Sequence, residues 1–178
     1  MARTLFSDRG AVRMKITTRR LALCAVLTAL ALGLSTLEGM FPVSLLIPLP
    51  GIKLGLANIV TVYALYALGP ASALAILLGA MFAGNASALL FSLMGGVLSM
   101  LVMIVLRHLP GLSIYGVSIG GAAAHNIGQI GAAMIVLGGT AVLGYLPVLL
   151  AVSLLTGTLT GFVAGLLFRA MKNVKLSR

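Results

Sequence analysis

Apolar residues run through this chain in long blocks, and the polar positions and Gly/Pro clusters that interrupt them recur at intervals near one bilayer crossing. Six blocks are predicted as helices, over 21–37, 54–68, 71–83, 88–106, 117–137 and 145–168. Their boundaries are set by helix breakers: Pro42, Pro48, Pro50 and Gly51 after the first block, Gly69-Pro70 after the second, Gly84-Asn85-Ala86-Ser87 after the third, and Pro110-Gly111 after the fourth. The second and third blocks hold about 13 to 15 residues and reach roughly 20 to 23 Å as helices, against a hydrocarbon core of about 30 Å. They are expected to be extended by their flanks, kinked, or shielded by neighbours.

Composition turns this pattern into a class. Of 178 residues, 61% are hydrophobic and 8% charged, whereas about a quarter of a soluble domain is charged. The expectation is an all-α integral membrane protein, a bundle of six transmembrane helices with both termini cytoplasmic. It divides into a basic N-terminal tail (1–20), a six-helix membrane domain (21–169) and a basic C-terminal tail (170–178), which leaves no room for a separate soluble catalytic domain. The first block is read as a retained span, because it is long for a signal-peptide core and no small-residue cleavage site follows at Glu38-Gly39-Met40-Phe41.

The net charge of +10 fits the same topology. Arg3, Arg9, Arg13, Lys15, Arg19 and Arg20 precede the first span, Arg107 follows the fourth, and Arg169, Lys172, Lys175 and Arg178 close the chain. Six crossings from a cytoplasmic start place eleven of the twelve cations inside and leave Lys53 outside, whereas five would strand the C-terminal cluster on the wrong side. Cations that flank apolar spans speak for a lipid bilayer as partner and against nucleic acid.

Candidate chemistry is confined to a few polar residues in or beside the spans: Glu38, Lys53, Asn58, His125, Asn126 and Gln129. Polar groups in hydrocarbon are costly unless they pair or line a cavity. Lys53 follows the Pro48/Pro50/Gly51 turn at the predicted outer rim, where its long stem can snorkel toward a ligand. With Glu38 it suits a zwitterion or a weakly charged amphiphile, although Glu38 can equally be a solvated carboxylate at headgroup level. His125, Asn126 and Gln129 lie three and four residues apart and cover one flank of the fifth helix. That flank can hold the bundle together, contact a ligand, or relay protons.

Small residues mark helix contacts. Ala25, Ala29 and Gly33 recur every four residues on one face of the first helix, a surface for another helix of this bundle or for a partner. Gly157, Gly161 and Gly165 do the same in the sixth. Lone Cys24 excludes a disulfide, and there is no Walker sequence, no paired Cys, and no His pair within one element, so neither metal nor cofactor is expected. Asp8 and Glu38 are the only acids. A Mg-diphosphate cluster of several carboxylates cannot be built from this chain alone, and no catalytic residue is assigned.

Three segments carry a family resemblance: Pro50-Gly51-Ile52-Lys53-Leu54-Gly55-Leu56-Ala57-Asn58-Ile59-Val60-Thr61, Ser92-Leu93-Met94-Gly95-Gly96-Val97-Leu98-Ser99, and Gly116-Val117-Ser118 with Ala124-His125-Asn126-Ile127-Gly128-Gln129. Over about residues 15 to 170 the chain resembles the bacterial family called heptaprenyl diphosphate synthase component I, or Gx transporter proteins. That family in turn is similar to the six-helix S components of energy-coupling-factor transporters, whose first helix carries an Ala-x-x-x-Ala docking motif that Ala25 and Ala29 match by position. The resemblance implies a multi-pass protein of the bacterial cytoplasmic membrane. It implies either a substrate-binding component of small-molecule or vitamin uptake, working with a transmembrane coupling subunit and ATPase subunits, or a non-catalytic partner of a prenyl diphosphate synthase catalytic subunit. The family is expected to carry a basic residue in or near the third helix; 71–83 has none, which counts against a strongly anionic ligand.

Overall fold

The computed structural model describes residues 17–40, 55–82 and 86–171. Within them the backbone is helical without strands: α1 (Thr18–Met40), α2 (Asn58–Ala67), α3 (Pro70–Phe82), α4 (Ala86–Leu106), α5 (Ile114–Leu137) and α6 (Leu146–Met171), with a 3-10 turn (Ala141–Tyr145) ahead of α6. Each of the six expected helices forms, and the shifted boundaries have local causes. α5 starts a turn earlier than expected because Ser113 caps it, its side chain accepting from the Gly116 N–H at 3.3 Å. It ends where Gly138 adopts a left-handed conformation (φ 67°). α3 begins on Pro70 itself, whose missing N–H has no partner to lose in a first turn.

Among the described residues three helices are long and apolar enough to cross a membrane, within Thr18–Met40, Leu89–Leu106 and Ala141–Ala170. α5 has 24 residues but carries His125, Asn126 and Gln129. α2 and α3 have 10 and 13 residues, too short for a full crossing. The short α2 is also the most enclosed element. All eight residues from Asn58 to Leu65 are buried, and α2 contacts each of the other five α-helices. A helix that is apolar on every side must be wrapped by others, so α2 is the axle of the bundle.

Glycine sets the spacing of the α4–α5–α6 layer. A Cβ on Gly128 of α5 would lie 2.5 Å from the Met94 carbonyl oxygen of α4, and one on Gly157 of α6 would lie 2.5 Å from the Ile119 Cα of α5. Backbones this close admit no side chain at either position. Of the glycine triplet in α6, Gly157 and Gly161 meet α5, while Gly165 faces open space.

α1 packs differently, touching α2 and α3 but, among the described residues, none of α4, α5 or α6. Its two faces have opposite fates. Leu27, Ala31 and Glu38 are buried against the bundle, whereas Ala25, Ala29 and Gly33, about half a turn round the helix, are exposed. The small-residue stripe therefore packs against no other helix among the described residues.

Candidate functional site

The first amides of a helix have no partner within it, and local side chains usually supply one. At α2 the N-cap is Ala57, which has no side-chain acceptor. The carbonyls of the preceding turn take the first amides of α2 instead, and Glu38, near the end of α1, fixes that turn. Its Oε2 accepts from the Leu56 N–H at 3.0 Å, and its Oε1 accepts from the Gly55 N–H. Gly55 sits at φ 85°, in the region that favours glycine, and from there the chain turns into α2 through hydrogen bonds from Asn58 N to Gly55 O and from Ile59 N to Leu56 O. A carboxylate of 2% exposure thus meets the positive end of a helix dipole.

The C-terminal end of α2 is held by cations. Arg107, just past α4, donates to the Leu65 carbonyl oxygen at 2.7 Å, and Arg20 of α1 donates to the Leu68 carbonyl oxygen and to Ser72 Oγ. Arg20 and Glu38 are 18 residues apart on α1, five full turns, and so share one face. α1 therefore clasps both ends of α2 with the charge that each end of the dipole attracts.

A cavity of about 60 Å³ lies beside the Glu38 end of α2. Its polar wall is Ser35 and Glu38 from α1, Asn58 and Thr61 from α2, Ser92 from α4 and His125 from α5; Ala31, Leu77, Ala80, Met81 and Leu89 supply apolar surface. The His125 ring sits between two glycines, its Cδ2 3.6 Å from where a Gly55 Cβ would be and its Cε1 3.1 Å from where a Gly95 Cβ would be. Side chains at those two positions would close the slot.

Of the six residues expected at a binding site, the structure brings Glu38, Asn58 and His125 together on this cavity. Lys53 lies outside the described residues. Asn126 turns away, its Nδ2 donating to the Leu149 carbonyl oxygen and to Ser153 Oγ of α6, each at 2.9 Å. Gln129 is buried where α5 crosses α4, its Cγ 3.1 Å from where a Gly95 Cβ would be. The flank of α5 is split because neighbouring residues differ by about 100° around a helix. Ser35, Thr61 and Ser92 were not singled out in the sequence. Helical register holds the signal for two of them, since Ser35 precedes Glu38 and Thr61 follows Asn58 by three residues. No group of three His, Cys, Asp or Glu that could hold a metal occurs among the described residues.

Helices apolar enough to cross a membrane, wrapped around a short buried helix with a polar cavity at one end, place this chain among helical membrane proteins. It belongs to the heptaprenyl diphosphate synthase component I family, whose model matches residues 27–167. No curated protein and no solved structure matches it.

Proposed function

We propose that this chain is a non-catalytic membrane component of heptaprenyl diphosphate synthesis that binds a small polar group in the cavity beside α2 and works with a separate catalytic subunit. Family membership over 27–167 carries the reading. The acid count supports the division of labour: of the chain's two acids, Glu38 is engaged with the Gly55 and Leu56 amides of the turn ahead of α2, so the carboxylates that would hold a Mg-diphosphate must come from another subunit. Glu38, Asn58 and His125 contact the bound group, Lys53 stands at the rim, and Asn126 and Gln129 hold the wall. The topology we infer is six helices with cytoplasmic termini in a bacterial cytoplasmic membrane, with the short α2 and α3 completing it inside the wrap of the longer helices rather than as full-length crossings. Arg20 and Arg107 meeting the same end of α2, with the Phe168 ring tilted against Tyr63 at 5.0 Å between centroids, support it by gathering the cation-bearing helix ends at one end of the bundle.

A second reading is favoured by one observation. Ala25, Ala29 and Gly33 are exposed on the outer face of α1, where an S-like uptake component would dock on a transmembrane coupling subunit with its ATPases. Native mass spectrometry of the complex purified from its own membranes tests both. A copurifying soluble prenyl diphosphate synthase subunit is the expected result. ATPase subunits in its place would establish the uptake reading, and a chain carrying neither partner nor bound small molecule would overturn both.

A further inference from the structure

We propose that the end of the bundle where Arg20 and Arg107 converge is a site for the phosphate group of a membrane amphiphile. It lies at the far end of α2 from the cavity, roughly 15 Å away along a helix of 10 residues, and stands apart from the ligand reading above.

Two guanidinium groups from different helices meet one turn of backbone. Arg107 donates through Nη1 to the Leu65 carbonyl oxygen, and Arg20 donates through Nη2 to the Leu68 carbonyl oxygen and to Ser72 Oγ. Those carbonyls are three residues apart, about 5 Å along the helix, so α2 holds two like charges side by side. These bonds orient each fork through a single nitrogen, while a guanidinium carries five N–H donors in a plane that matches the oxygens of a phosphate. Both side chains are half-buried, which weakens the screening of their charge by water and salt.

The charge at this end is not balanced from within the chain. Helix dipoles cancel, because α1, α3 and α5 begin here and α2, α4 and α6 finish here, each end equivalent to about half a charge. Carboxylates are too few. The chain has only Asp8 and Glu38, and Glu38 serves the opposite end of α2. Even with Asp8 set against them, Arg19, Arg20, Arg107 and Arg169 leave a surplus. The segments that adjoin α1 and α6 in sequence, 1–16 and 172–178, carry seven further Lys and Arg beside that one acid, so they add positive charge instead of neutralising it. The surplus calls for an anion from outside the chain.

The surroundings select the kind of anion. Leu21, Tyr66, Leu109 and Tyr115 are exposed beside these cations and helix ends. Tyrosine at a bilayer interface sets an apolar ring against the tails and a hydroxyl at headgroup level. An anion that carries an apolar chain meets both kinds of surface, whereas inorganic phosphate meets only the charge. An anionic phospholipid and a prenyl diphosphate share that chemistry.

The test uses the full chain, delipidated in a non-ionic detergent, with thermal shift measured against phosphatidylglycerol, farnesyl diphosphate, farnesol and inorganic diphosphate. At least one of the two phosphate amphiphiles should raise the melting temperature saturably, and added salt should weaken the effect. Farnesol should not stabilise, and inorganic diphosphate should bind at least tenfold more weakly. The tighter amphiphile identifies the source as bilayer lipid or prenyl diphosphate. Arg107→Gln should weaken its binding at least fivefold. Because Arg107 also holds α2, Arg169→Glu serves as a second variant: the residue is exposed, both bonds to α2 stay intact, and a carboxylate enters this end. It should weaken binding by a similar factor while the melting temperature of the unliganded chain stays put. Equal stabilisation by farnesol or inorganic diphosphate, no saturable effect of either phosphate amphiphile, or affinity that survives either variant would overturn the assignment. So would polyglutamate binding as tightly as the better amphiphile, the result that an acidic protein partner predicts. None of these outcomes alters which subunits copurify, so failure here is distinct from failure of the proposed function.

Discussion

The two ends of α2 solve the same problem with opposite charges and different amounts of space. At the N-terminal end one carboxylate serves two amides, and the wall beside it retains a cavity. At the C-terminal end two guanidinium groups, from α1 and from just beyond α4, each take one carbonyl. The N-terminal end is buried and the C-terminal end only partly so, but each would otherwise leave backbone groups short of partners. The difference lies in how the load is shared: loss of either arginine frees one carbonyl, whereas loss of Glu38 releases two amides at once.

That asymmetry can be broken by mutation. Glu38→Ala should have the largest effect, about 2 to 4 kcal/mol of stability, because two N–H groups, one buried and one partly buried, lose their acceptor together. The check is the melting temperature in detergent, and a loss no larger than that from a surface substitution would remove Glu38 from its role at the turn ahead of α2. Arg107→Ala or Arg20→Ala should each cost about 1 kcal/mol, since these side chains are only partly buried and water can reach part of the freed carbonyl. Melting in the same detergent checks both, and a loss as large as that of Glu38→Ala would show that the two ends of α2 matter equally. The smallest effect is expected from Ala25→Leu with Ala29→Leu. These positions face outward, so folding should change by no more than about 0.5 kcal/mol. If that pair nevertheless abolishes copurification of a membrane partner, the outer face of α1 is the docking face.

Much of the scaffold was legible in advance because its signals are local. Apolar blocks bounded by Gly69-Pro70 or Pro110-Gly111 specify helices whatever surrounds them. Glycine clusters announced close crossings, yet spacing could not tell Gly157, pressed on Ile119, from Gly165, which faces open space. The site was legible only in part. Glu38, Asn58 and His125 stood out as polar residues in apolar runs, and the fold brings all three to one cavity. Asn126 stood out equally, but its partners are Leu149 and Ser153 of α6, a contact that depends on how α5 is rotated in the bundle.

What the sequence determined by itself is the class and the helices, because the hydrophobic effect acts through patterns readable over one or two turns. What only the tertiary structure decided is which charge meets which helix end. Glu38 reaches the amides of Gly55 and Leu56 from near the end of α1, and Arg107 reaches Leu65 from just past the end of α4. Such pairings join residues distant in the chain, and five turns of α1 bring Arg20 and Glu38 into register with the two ends of α2 only after the helices have packed.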